Sequence, residues 1–293
     1  MLHSSRRRTR RIAPVIALLA VALLATDADA ARHLGGATSQ DAPITLQLSR
    51  DGKQAEFARM MVQAPCDDGS MLGYWARIDF ERRVPDDPDI GTHVVPDPKL
   101  GRNGRIGGGG SSAEVFGESM VGVLTEELRG TVRRSGRASG TLSSDITLVD
   151  IDTGEIVTEC RTGPLSWSAR GKRGRVYAGA ADNGTPLVVE LSRKREKVAL
   201  GFGWAAQCVP EGFVIANHRM SDLPVTDGRF DEAFEVPFQQ DGKSLRIAFE
   251  LAGGLTATKA SGEIAVRLTE LDPAGNAVMT CDAGRFGWKA RSG

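Results

Sequence analysis

The chain repeats itself, and that repeat constrains its fold more than any other feature of the sequence. The segment Gly36-Ala37-Thr38-Ser39-Gln40-Asp41-Ala42-Pro43-Ile44-Thr45-Leu46-Gln47-Leu48-Ser49-Arg50 is echoed by Gly179-Ala180-Ala181-Asp182-Asn183-Gly184-Thr185-Pro186-Leu187-Val188-Val189-Glu190-Leu191-Ser192-Arg193, at an offset of 143. Towards the ends of the two copies, Ala138-Ser139-Gly140 matches Ala260-Ser261-Gly262. Cys160, Gly163, Trp167, Ala169 and Arg170 match Cys281, Gly284, Trp288, Ala290 and Arg291. Cys66 corresponds to Cys208, so each copy holds one early and one late cysteine.

Both copies alternate apolar and polar residues with a period of two, as in Ile44, Leu46 and Leu48, or Val198, Leu200, Phe202, Trp204, Ala206 and Cys208. Further strands are predicted at 74–80, 113–123, 141–151 and 156–167, with counterparts at 213–219, 229–238, 263–271 and 277–288. Asp51-Gly52, Thr153-Gly154 and Ala274-Gly275 are turn signals between them. Gly is enriched, at 35 of 293 residues, and no amphipathic helix stands out. The expectation is an all-β chain of two tandem homologous β-sandwich domains, immunoglobulin-like or jelly-roll-like, each with one disulfide; small β-barrels are the alternative.

The repeat also selects among the three possible cysteine pairings, favouring Cys66 with Cys160 and Cys208 with Cys281. A turn or bulge at 161–163 and at 282–284 is expected, because each late cysteine is out of phase with the Trp seven residues on. The bridge would then tie two sheets across the core. The first copy is longer between its cysteines, and the extra residues are assigned to 84–112. That stretch holds four Pro and seven Gly, with Gly107-Gly108-Gly109-Gly110 at its end. It reads as a flexible Pro/Gly/Asp-rich insertion. The domain plan is therefore a signal peptide at 1–30, the first repeat at 31–170, a basic linker at 171–178 and the second repeat at 179–293.

The openings and the endings Glu159-Cys160-Arg161-Thr162-Gly163-Pro164-Leu165-Ser166-Trp167 and Thr280-Cys281-Asp282-Ala283-Gly284-Arg285-Phe286-Gly287-Trp288 resemble uncharacterised exported tandem-repeat β-domain proteins of high-GC Gram-positive bacteria. The resemblance implies secretion and a β fold. It brings no activity and no site residues.

Export is also read directly from the N-terminus. Arg6, Arg7, Arg8, Arg10 and Arg11 precede an apolar run from Ile12 to Ala25, and Ala28-Asp29-Ala30 is an A-x-A cleavage signal. The run is too short for a permanent span. Cleavage leaves a secreted chain of net charge −3, with no membrane anchor and no overall electrostatic drive toward nucleic acid.

Candidate chemistry is sparse. After cleavage the histidines are His33, His93 and His218, and none lies in a nucleophile motif. Asp86, Asp87, Asp89 and Asp97 do not have the spacing of a calcium loop, and the cysteines are too far apart for zinc. No cofactor or metal is expected. Two basic runs, 129–137 and 170–175, read as solvated segments; the second, in the expected linker between the repeats, offers a contact for an anionic cell-wall polymer or a cleavage site for a protease. Tyr74 and Trp75 are adjacent on a strand, so one of them faces outward. Asp86, Asp87, Asp89, His93, Asp97, Tyr74 and Trp75 form the candidate binding surface. The sequence points to a secreted, non-catalytic binding or structural protein of the cell envelope or extracellular space, with a cell-wall polymer or an extracellular protein as partner. The alternatives are a secreted hydrolase with a site around His218 and an extracellular inhibitor module.

Overall fold

The computed structural model describes residues 33–80, 104–116, 119–240 and 242–293; the signal peptide expected at 1–30 falls outside the described residues. The first half carries β1 (His33–Thr38), β2 (Pro43–Leu48), β3 (Ala55–Pro65), β4 (Met71–Asp79), β5 (Arg105–Phe116), β6 (Met120–Arg133), β7 (Arg137–Asp150), β8 (Ile156–Arg161) and β9 (Leu165–Arg170). The second carries β10 (Val176–Ala181), β11 (Pro186–Leu191), β12 (Lys197–Val209), β13 (Phe213–Pro224), β14 (Arg229–Gln240), β15 (Lys243–Leu255), β16 (Lys259–Leu271) and β17 (Ala277–Ser292). Strand order is β4-β3-β2-β1-β9-β7-β6-β5, with β8 on β7, and β13-β12-β11-β10-β17-β16-β15-β14. The two halves are copies of one antiparallel design.

Each half is one continuous sheet folded over on itself. Phe202 on β12 meets Phe249 on β15 edge-on, with ring centroids 6.2 Å apart, although the two strands are far apart in the sheet order. The start of β17 also pairs with the end of β12, which closes the fold in roughly barrel-like fashion. Alternating side chains from both layers make one core per half. Trp167 lies on the glycine pair Gly130/Gly140 and Trp288 on Gly253/Gly262. A Cβ at Gly140 or Gly262 would come 1.9 Å from a backbone oxygen and 2.7 Å from the indole, so the recurring Gly and Trp form one packing unit.

The disulfides are Cys66–Cys160 and Cys208–Cys281, as the repeat predicts. They do not span a gap between separate sheets. Cys208 and Cys281 are directly opposed partners on β12 and β17, and Cys66 and Cys160 form an isolated antiparallel bridge. The bond therefore fastens the seam where the sheet folds back. The expected phase break is present: Gly163 and Gly284 have φ of 57° and 65°. In the first half it splits β8 from β9; in the second it is a register shift between Ala265 and Arg267.

Three expectations are corrected. Residues 105–112 are not a flexible insertion: they belong to β5, which pairs with β6 from Arg105 to Phe116. Gly109 is needed there because a Cβ would sit 2.4 Å from the Glu126 carbonyl, and glycine composition alone does not separate close strand approach from a loop. The strand predicted at 113–123 is a hairpin, with β5 ending at Phe116 and β6 starting at Met120. Strands β1, β3, β10 and β15 were not anticipated. In addition, β10 begins at Val176, so residues 171–175 join the halves.

The halves pack through equivalent positions. Gly73 on β4 approaches Ile215 on β13, and Gly203 on β12 approaches Met61 on β3. Each pair occupies one position of the repeat, the signature of an approximate internal twofold. Met61, Ala178 and Val188 are buried yet belong to neither core; they seal the contact between the halves, Met61 at Gly203 and the other two at Gly35.

Candidate functional site

The strand register brings together residues far apart in sequence. In the first half Arg133, Arg137 and Arg170 are successive cross-strand partners on β6, β7 and β9. Directly opposed residues share a face and stand about 5 Å apart, so three guanidiniums form a ladder. The row continues through Gly35 and Thr45 to Arg59 and Arg77 on β3 and β4. The second half has the corresponding row Lys259, Arg291, Ala178, Val188, Gly201 and Arg219.

The halves cross at the one place where these rows lack cations. A Cβ on Gly35 would lie 2.8 Å from Val188 and 3.3 Å from Ala178. The arginines are left on either side of the crossing, in two clefts between the halves. The larger encloses about 720 Å³ and collects Arg133, Arg137, Arg170 and Arg219, with Asp41 and Glu190, over a floor of Gly36, Ala138 and Ala169. Ser139 and Ser168 add hydroxyls.

Glu190 Oε2 accepts from Arg170 at 3.3 Å and from Arg219 at 3.2 Å, linking the first half to the second. Arg133 and Arg137 have no ion pair among the described residues. Like charges placed directly opposite on adjacent strands are destabilising, and guanidiniums recognise carboxylate and phosphate bidentately. A ladder in which Arg133 and Arg137 have no ion pair among the described residues, over a floor of small residues, is suited to holding an oxyanion.

The residues singled out from sequence fare differently. Asp86, Asp87, Asp89, His93 and Asp97 lie outside the described residues. Tyr74 is buried at 1% exposure. Trp75 has the outward parity, but on the face of β4 where Gly73 approaches the second half. Of the basic runs, Arg133, Arg137 and Arg170 converge, while Arg129 pairs with Glu127. Arg219 and Glu190 were missed, since neither stands in a charge run. The usable signal was the unbroken Leu187-Val188-Val189, which marks β11 as buried on both faces.

His218 sits among aromatic rings. It lies 4.8 Å from Phe249 between centroids and accepts a hydrogen bond from Trp204 Nε1 at 3.4 Å. Burial lowers its pKa. No carboxylate or serine bonds it among the described residues. Among the described residues no group of three or more His, Cys, Asp or Glu side chains gathers, and no helix among them is long and apolar enough to cross a membrane.

The first half also holds a buried acid. Glu126 on β6 is 2% exposed. Burial pushes its pKa up to about 7; Tyr74 holds back part of the rise and Glu114 adds to it.

Comparison with protein-family models, with curated proteins and with solved structures finds no match for this chain. Its function is therefore argued from the site itself.

Proposed function

We propose that this is a secreted, non-catalytic binding protein of the cell envelope, which holds an anionic wall polymer in the larger cleft between its halves. The arginine ladder Arg133–Arg137–Arg170 carries the reading. Two of its members make no ion pair among the described residues, and the hydroxyls of Ser139 and Ser168 beside them suit a sugar or polyol bearing phosphate or carboxylate groups. The two disulfides fit an oxidising compartment, and the N-terminal basic and apolar segments supply a route of export.

The test is sedimentation of the oxidised chain, residues 31–293, with purified cell walls of a high-GC Gram-positive bacterium, beside an Arg133→Gln/Arg137→Gln variant. The native chain is expected to bind saturably, and the variant at least tenfold more weakly. Raising salt from about 0.1 M to about 1 M, which shortens the Debye length from about 10 Å to about 3 Å, should weaken the native interaction. Equal binding by both proteins, or none by either, would remove the cleft from the function.

A further inference from the structure

The internal twofold gives the larger cleft a counterpart. Across the Gly35–Val188 crossing lies a smaller cleft of about 180 Å³, lined by Arg59 and Phe57 of the first half and by Lys289 and Arg291 of the second. Arg291 is the equivalent of Arg170: each is the cross-strand partner of the central residue of its row, Ala178 in one half and Gly35 in the other.

The counterpart of Glu190 is Gln47, since Val176 faces Glu190 as His33 faces Gln47. The carboxylate that occupies two arginines in the larger cleft is thus replaced by an amide, which donates to Glu56 instead. Among the described residues, no carboxylate lines the smaller cleft. Arg59, Lys289 and Arg291 make no ion pair among the described residues.

Arg59 is the best built of the three. Its guanidinium lies 4.9 Å over the Phe57 ring, which fixes its plane. Its Nε is shut off from solvent with no hydrogen-bond partner among the described residues. Burial, and then the neighbouring Arg77, push its pKa down, with Asp79 opposing. A cation held there without a partner is stabilised by an incoming oxyanion.

We infer that the smaller cleft is a second oxyanion seat, so that one chain holds a linear polyanion at two points. This rests on the envelope-binding reading of the larger cleft. Arg59 and Arg170 are three strands apart along one row, about 14 Å. A ligand must exceed that span to use both seats, and its avidity then rises by a factor of about 10² or more.

The probes are inorganic tripolyphosphate, which fills one seat, and polyphosphate of some thirty units, which reaches both. Calorimetry is expected to give two tripolyphosphates per native chain and one per chain for either Arg59→Gln/Arg291→Gln or Arg133→Gln/Arg137→Gln. Long polyphosphate should bind the native chain at least tenfold more tightly than either variant. Near-UV circular dichroism checks that the variants are folded. One tripolyphosphate per native chain, unchanged in Arg59→Gln/Arg291→Gln and lost in Arg133→Gln/Arg137→Gln, overturns the second seat and leaves the first standing. No binding of either probe by the native chain overturns both.

Discussion

Glu126 shows how one residue separates the two copies. Register places it four residues before Gly130, which pairs with Gly140 under Trp167. Phe249 stands four before Gly253, which pairs with Gly262 under Trp288. Phe249 has Phe234 and Val266 as cross-strand partners, whereas Glu126 has Gly110 and Ser144. An aromatic cluster in one half is thus a polar one in the other. The folded pKa of about 7 lies above the ordinary 4.5, so the folded form keeps a proton that the unfolded chain gives up between those values. Stability is therefore unaffected below about pH 4.5, falls as pH rises to about 7, and levels off above it. The loss is on the order of 3 kcal/mol. Urea unfolding at pH 5 and pH 8 should show Glu126→Gln freed of that part of the pH dependence; an unchanged difference between the two pH values would sink the assignment.

Among the elements, the late-cysteine segment carries the most information. Its cysteine and Trp belong to one strand in the second half and to two in the first, because the kink at Gly284 is absorbed by a register shift whereas Gly163 breaks the strand. The phase break was visible in the spacing; which half would break was not. The extra residues of the first copy fall between β4 and β5, where twenty-five residues connect the strands against four between β13 and β14. Their composition drew the loop reading too far, into β5. Each disulfide closes a long loop, of 94 and 73 residues, worth about 4 to 5 kcal/mol in the chain-entropy model. Cys208→Ala/Cys281→Ala should lower the unfolding free energy of the second half, measured in urea, by a corresponding amount. A loss under about 1 kcal/mol would show that the seam is held by strand pairing alone.

At the scale of the molecule, the contact between halves positions both clefts. It depends on small residues facing large ones at equivalent sites: Gly203 against Met61 and Gly73 against Ile215. A Cβ at Gly203 would lie 2.3 Å from the Met61 sulfur. Gly203→Leu is expected to part the halves while leaving each core intact. Limited proteolysis should then cut faster within 171–175, with both disulfides still formed; a cleavage rate equal to the native one would mean that the contact tolerates the side chain.

The sequence by itself determined the duplication, the all-β class, the cysteine pairing and most strands, since these follow from local alternation and from matching one copy to the other. It also showed the arginines, though only as two runs in separate places. That Arg133, Arg137 and Arg170 share one row, that Arg219 joins them from the other half, and that the polar face of β2 at Thr45 is buried were decided by tertiary structure alone. Cross-strand register and the crossing of two domains depend on hydrogen bonding and packing between residues distant in the chain, and no local pattern encodes which side chains those contacts bring face to face.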